Sequence, residues 1–450
     1  MQVSDISKFS LSSTLLKSVC VFIIASLFSN AYAYSLMEIY SRAKQHDADI
    51  LIAESRFNAE AQARPIARAN VLPQASLRAN TTDVSQETDG STFGVAGTDV
   101  DFNDHGYTLS ISQSLYNHDH YVQLRQAKDS VAKAHIDLNA SHQELMRRTA
   151  EAYFNVLAEQ DNLIFRQSEI EAIARQLEQA QKRFEVGLIA ITDVKEAQAS
   201  YDLAVASEIE AENTLEISKD SLEVIIAERI ENLNSLSEQM QLISPEPNDV
   251  QEWINKALKE NLTLLSSDYT TKIAQKEIKL QQAQHLPTLD IVASHNDTDT
   301  GGISGSRQSE DTRIGLELNV PLLAGGRTHY RTKEARFNAE LAENQHEKVR
   351  RETIKNTRNA YLNVIAGISR VQALSKALES TEAAARSAEA GFQVGTRTSV
   401  DVLLALQETF RAKRDYSRAR YDYILSTLSL KQAAGTLSVD DLLQIDGWLN

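Results

Sequence analysis

Cysteine is almost missing from this chain: among 450 residues there is one, Cys20. It lies in an N-terminal stretch that reads as a cleavable export signal. A processed chain would have no thiol, which excludes disulfides and thiolate metal sites. Proline and glycine are also scarce, at six and 16, and aromatics make up only 6%. With Ala, Gln, Glu, Leu and Ser abundant, that composition suits long amphipathic helices better than a compact enzyme core. After residue 33 no stretch approaches 18 consecutive apolar residues, so a transmembrane helix is excluded there. The formal net charge is −16. That balance argues against nucleic acid as a partner, which needs basic patches to neutralise phosphates.

The signal is read over residues 1–33. Lys8 and Lys17 precede the apolar run "VCVFIIASLF", and "AYA" at 31–33 supplies a small-x-small cleavage site. The run is too short to span a bilayer as an anchor.

The remainder is written twice. "RFEVGLIAITDV" at 183–194 returns as "GFQVGTRTSVDV" at 391–402, and "AYFNVLAEQ" at 152–160 as "AYLNVIAGI" at 360–368. "VLPQASL" at 71–77 pairs with "HLPTLDI" at 285–291. The first repeat is taken as 34–243 and the second as 244–450. Their joint falls in "SPEPNDVQ", 244–251, where proline forbids helix continuation. Each repeat is expected to hold a helix, two strands and a long helical hairpin. The strands are placed near 73–84 and 105–116, then near 287–296 and 312–323. The hairpin tips fall near 184–192 and 392–399, and a short tail closes the second repeat.

Thr149, Val156, Leu163, Ile170, Leu177 and Phe184 recur every seven residues; Thr357, Val364, Val371, Leu378, Ala385 and Phe392 repeat that phase. A sustained seven-residue period implies left-handed supercoiling. Coiled-coil helices are therefore expected over 118–183 and 327–392, with returning helices over 192–230 and 399–434. Small neighbours (Ala150, Ala152, Ala360, Ala383, Ala384) allow close approach. Gly187 and Gly395 fall where each long helix must reverse, and glycine readily takes the left-handed conformation that ends helices. Thr192, and Thr398 or Ser399, are expected to cap the helices that follow.

Between the helices the period switches to two. Leu77 alternates with Ser76 and Arg78; Tyr107, Leu109 and Ile111 alternate with Thr108, Ser110 and Ser112; Leu289, Ile291 and Ala293 oppose Thr288, Asp290 and Ser294. Ile314, Leu316, Leu318, Val320 and Leu322 form the clearest set. One apolar and one wet face suit a strand crossing a bilayer, and the polar stretches at 81–106 and 295–312 suit external loops. Four strands cannot close a barrel, and lipid tolerates no unpaired edge, so copies must pool them. The fold class is thus α plus membrane β, with an internal two-fold repeat.

"RFEVGLIAITDV", "GFQVGTRTSVDVL", "HLPTLD", "NVPLLAGG" and "ARYDYILSTLSLKQAAGTLSVDDLL" closely resemble the TolC family of outer-membrane channels, along essentially the whole processed chain. The resemblance implies a homotrimer in the Gram-negative outer membrane, its twelve strands forming one β-barrel continued by an α-helical coiled-coil barrel across the periplasm. It implies an exit duct for multidrug efflux or type I protein secretion, with no catalytic centre and no cofactor. The implied partners are a periplasmic adaptor, an RND or ABC transporter of the inner membrane, and outer-membrane lipid. A gate latch is implied at Thr192, Asp193 and Arg397. Phe392 stands where a relative's tyrosine donates a latch bond, so that bond is lost. Asp401 matches the position that narrows the entrance. Three such carboxylates would repel one another and raise their pKa values. Leu404 replaces a second aspartate, giving one acidic ring backed by an apolar one. The tip turns at Gly187 and Gly395 are implied adaptor contacts.

Metal binding finds little support. His118 and His120 in "NHDHY" are two apart rather than at i, i+4, and the Asp-rich stretches lack the Gly and Glu of a calcium loop. The competing reading is a periplasmic coiled-coil spacer or adaptor without a pore, whose strands would form a soluble sheet.

Overall fold

The computed structural model describes residues 33–88, 98–238, 240–302 and 305–449. Apart from Ala33, the export signal lies outside the described residues.

The order of elements occurs twice. The first half runs α1 (Leu36–His46), α2 (Ala48–Ala61), α3 (Ala63–Ala69), β1 (Gln74–Thr88), β2 (Thr98–Tyr116), α4 (His118–Glu185) and α5 (Ile191–Ile226). The second runs α6 (Val250–Glu260), α7 (Leu262–Ala283), β3 (Thr288–Thr300), β4 (Arg307–Asn319), α8 (Arg327–Gln393) and α9 (Ser399–Ala434), followed by α10 (Val439–Asp446).

The single helix expected before each strand pair is divided. Asp47 ends α1 in extended backbone, and its carboxylate accepts from the Ile50 amide at 2.9 Å to start α2. Asn261 does the same between α6 and α7, accepting from the Leu264 amide at 2.9 Å. A short polar side chain that satisfies the new helix's free amides makes such a break stable. Arg148 of α4 anchors Asp47 at 2.9 Å, and Asn261 donates to the Ala433 carbonyl at 3.0 Å.

α4 and α8 contain 68 and 67 residues, so each is about 100 Å long. The seven-residue seam is buried at Thr149, Val156, Leu177, Thr357, Val364, Val371, Ala385 and Phe392. Phe184, Ala383 and Ala384 are exposed in the lone chain. The main core surrounds the middle of these helices, where Leu36, Ile39, Leu145, Phe154, Trp253, Val364, Tyr423 and Leu428 pack together. Tyr153 is fully buried there and donates to the Asn234 carbonyl at 2.9 Å.

The strands form one antiparallel sheet in the order β1-β2-β3-β4. Ala75, Ile111, Ala293 and Ile314 lie abreast on one face. Leu77, Ile314, Leu316 and Leu318 of that face are 64–79% exposed, an apolar surface with nothing in one chain to cover it. Among the described residues, β1 and β4 are paired on one side only.

Five strand ends need correction. The ladder runs on through 81–88, 98–106, 295–300 and 307–312, which were expected to be loops. Apolar residues thin out there to Val84, Val100 and Phe102, too few to mark alternation, yet main-chain pairing continues. Residues 89–97 and 303–304 lie outside the described residues. β4 stops at Asn319, short of Val320 and Leu322, because Pro321 has no amide to donate. In β2 the register slips between Ser114 and Tyr116, leaving Leu115 as an extra residue.

α5 also ends earlier than expected, at Ile226 rather than near 230. Ala227 takes left-handed backbone (φ 57°) at the position where the second half has Gly435 (φ 80°). An L-residue carries roughly 1–2 kcal/mol of strain in that region. Ala227→Gly should therefore raise stability by about 1 kcal/mol. A higher thermal midpoint of the detergent-solubilised protein checks this, and an unchanged or lower one refutes it.

Candidate functional site

The repeated motif builds two helix-terminating turns of the same design. At the first tip, Gly187 (φ 76°) donates to the Phe184 carbonyl at 2.9 Å and Leu188 to that of Arg183 at 2.8 Å. At the second, Gly395 (φ 82°) donates to Phe392 at 3.2 Å and Thr396 to Gly391 at 2.8 Å. These paired bonds satisfy the last carbonyls of α4 and α8. A Cβ on either glycine would meet no atom within 4 Å, so backbone conformation alone selects glycine.

The helices leaving the tips start differently. Thr398 caps α9 in a reciprocal box: its hydroxyl accepts from the Asp401 amide at 3.2 Å, and its own amide donates to the Asp401 carboxylate at 2.9 Å. α5 has Ala190 at the cap position and no side-chain cap, so the cap expected from Thr192 is not made. Thr192 is exposed in the first turn of α5.

Asp401 is therefore engaged within its own chain. The Thr398 amide, then the Thr398 hydroxyl and the Arg397 guanidinium, hold its carboxyl below the ordinary value of 3.8. In one chain this runs opposite to the rise expected from carboxylate repulsion. A lowered folded pKa means that the stabilisation is complete above the ordinary carboxylate range and is lost as pH falls through the lowered value. Asp401 thus stays charged through mild acid. Leu404, one turn later, is 57% exposed, whereas its neighbour Leu403 is buried.

The latch residues do not meet within one chain. Among the described residues no hydrogen bond or ion pair joins Arg397 to Thr192 or Asp193. Arg397 instead folds across Gly391, where a Cβ would stand 2.7 Å from the Arg397 Cγ. Phe392 is buried, and the Arg183 guanidinium lies over its ring at 4.1 Å.

Leu403 joins Ile173, Leu177, Ala180, Ala197 and Ala204 in an apolar cluster, so α9 seats a side chain inside the first hairpin. Further along, Glu169 of α4 is buried and accepts from Arg414 of α9 at 2.9 Å and from Arg166 at 3.2 Å. Asp161 accepts from Ser417 and, at 2.8 Å, from Tyr421. The sequence reading missed Arg183, Leu403 and Glu169. Glu169 carried a detectable signal, a charge beside the heptad position Ile170.

"NHDHY" forms the start of α4. Asn117 caps it by accepting from the Asp119 amide at 3.0 Å, and its amide group contacts His120 Nε2 at 3.3 Å. Among the described residues, no three His, Cys, Asp or Glu side chains converge as metal ligands. No helix among them is long and apolar enough to cross a membrane.

The family model described as outer membrane efflux protein matches residues 39–228 and 253–436. The chain is 36% identical to outer membrane protein TolC of Vibrio cholerae over 432 residues, covering 95% of this chain and 96% of that protein. The chain belongs to the outer membrane efflux protein family. The chain is also 28% identical to the alkaline protease secretion protein AprF of Pseudomonas aeruginosa over 423 residues, with 92% of this chain and 87% of that protein covered. Among solved structures, the outer membrane protein VceC of Vibrio cholerae superposes with a TM-score of 0.75 at 18% identity, covering 89% of this chain and 96% of that one. As a member of the outer membrane efflux protein family, the chain is an exit duct of the Gram-negative outer membrane. The exposed apolar face of its sheet is the face such a location requires. The spacer reading, with a soluble sheet, is set aside.

Proposed function

We propose that three copies of this chain pool their sheets into one twelve-stranded barrel, which the hairpins continue as a periplasmic tunnel. The observation that carries this reading is the four-stranded sheet itself. It has an edge at β1, another at β4, and an apolar face that one chain leaves bare. In lipid each unpaired edge would leave main-chain groups unsatisfied, and joining β4 of one copy to β1 of the next removes every edge. The duct serves a periplasmic adaptor and an inner-membrane RND or ABC transporter. A secretion protein among the relatives supports type I secretion alongside efflux. The adaptor docks at the tips, around the turns at Gly187 and Gly395.

The periplasmic entrance is narrowed by a ring of Asp401 backed by a ring of Leu404. Arg397 of one copy reaches Thr192 or Asp193 of its neighbour, since within a copy these side chains are apart. An exposed latch of this kind contributes little, about 1 kcal/mol per chain, which suits a gate that must open.

Purified protein should run as a heat-modifiable trimer and conduct ions in planar bilayers. A detergent-free monomer would overturn the reading. Trivalent cations should block wild-type channels from the entrance side, and Asp401→Ala should weaken that block about tenfold, an expected difference of ~1.4 kcal/mol in cation affinity. Equal block in both would remove Asp401 from the constriction. Within one chain the Thr398 bonds lower the Asp401 pKa, so block that persists in mild acid would show that these bonds outweigh carboxylate repulsion within the ring.

A further inference from the structure

We propose that Arg183 and Phe392 form the brace that ties the two hairpin tips of each chain together in the shut channel. The proposal rests on the gate reading above and extends it by a contact between Phe392, at an expected latch position, and Arg183, which lies outside the expected latch. Arg183 belongs to the last turn of α4 and Phe392 to the last turn of α8, so the contact joins different hairpins. The guanidinium carbon stands 4.1 Å from the ring centroid, inside the ~6 Å range over which an aromatic face attracts a cation. Phe392 is 5% exposed, and Arg183 is half-buried. The contact is therefore partly withdrawn from water, where such attraction is stronger. Among the described residues Arg183 makes no ion pair and no side-chain hydrogen bond, so the ring is the group its charge meets.

The brace is attached to rigid points at both ends. The Arg183 carbonyl accepts from Leu188, and the Phe392 carbonyl accepts from Gly395, so each residue is fixed by its own helix-ending turn. A phenylalanine at position 392 has no hydroxyl for a latch bond, but its π-face is intact and occupied. One helix start away, Leu403 is seated in the first hairpin's apolar cluster, between Asp401 and Leu404 in sequence with only Val402 intervening on one side. Moving the second hairpin relative to the first must lift Phe392 from Arg183 and draw Leu403 out of its cluster. Both contacts hold the first turn of α9, with Asp401 and Leu404, in the constricting position.

The test is single-channel recording on the purified full-length channel in planar bilayers. Arg183→Met keeps the aliphatic stem and removes the charge; Phe392→Leu keeps apolar volume and removes the π-face. Each should raise the open fraction about threefold. The double variant should be no more open than either single one, because both remove the same contact. Phe392→Tyr and Arg183→Lys, which retain a ring and a cation, should stay nearer wild type. Wild-type openness in Arg183→Met, or additive effects in the double variant, would overturn the brace. Trimer yield and thermal midpoint are measured in parallel, and a variant that fails to assemble is replaced by Arg183→Gln or Phe392→Ile, which remove the same charge or ring and carry the same expectation. A wild-type protein that forms no conducting pore would instead overturn the duct reading on which the brace rests.

Discussion

Gly435→Ala should prevent the second half from closing the end of α9 onto the turn between α6 and α7, at an expected loss of about 4 kcal/mol. Gly435 ends α9 with φ 80°, and its Cα lies against the turn between α6 and α7. A Cβ there would stand 2.1 Å from the Glu260 carbonyl oxygen and 2.4 Å from its carbon. Both atoms are backbone and cannot rotate away. The surroundings give no slack: Asn261 bonds the Ala433 carbonyl at 3.0 Å, and Gln143 bonds the carbonyls of Gly435 and Leu437, each at 3.0 Å. Ala227, the counterpart in the first half, bears the same left-handed strain with a side chain present. Close approach, more than φ, therefore makes glycine necessary at 435. Little folded trimer should be recovered from cells, and what is recovered should melt well below wild type. A stability within about 1 kcal/mol of wild type would show that the junction can yield, contrary to the usual effect of overpacking.

Glu169→Ala is the second large effect, at about 3 kcal/mol. The Glu169 side chain is 7% exposed and sits between Arg414 (16%) and Arg166 (28%). Removing it leaves two guanidiniums facing one another with no carboxylate between them. Burial, and then the charge of Arg166, already push the Arg414 pKa down, so that group is short of stabilisation even with Glu169 present. Replacing the pair together, Glu169→Leu with Arg414→Leu, should recover most of the loss, because apolar packing commonly substitutes for a buried ion pair. Arg166 is exposed enough to turn toward solvent in that variant. Thermal midpoints of the two single variants and the double variant check this. A Glu169→Ala variant as stable as wild type would mean that water reaches the site and screens both charges.

Legibility from sequence followed the range of each interaction. Gly187 and Gly395 were readable because a helix that must reverse needs positive φ, and that need is local. The heptad phase from Thr149 to Leu177 was readable because a seven-residue period has one geometric meaning. Strand ends were not readable: around Asp83 and Asp297 polar residues predominate, with only Val84, Phe102 and Tyr107 paired among them, and no sustained alternation marks a ladder that main-chain bonds continue. The division at Asp47 and Asn261 was missed because a capping side chain in midhelix resembles any other polar residue until its partners, Arg148 and Ala433, come into view.

The site shows the same boundary. Phe392 was singled out for the hydroxyl it lacks, whereas the fold uses its ring face against Arg183, more than 200 residues earlier. Asp401 was assigned from its place in a motif, and its capping bonds with Thr398 emerged from the fold.

By itself the sequence determined the duplication, the long supercoiled helices, the two glycine turns and the need for several copies to complete a barrel. Each follows from periodicity or from the conformation of single residues. Only the tertiary structure decided that Gly435 packs on Glu260 within the second half, and that the halves grip one another through Arg414 on Glu169 and Phe392 under Arg183. Those contacts join residues far apart in the chain, and no local pattern encodes which distant partner a side chain will meet.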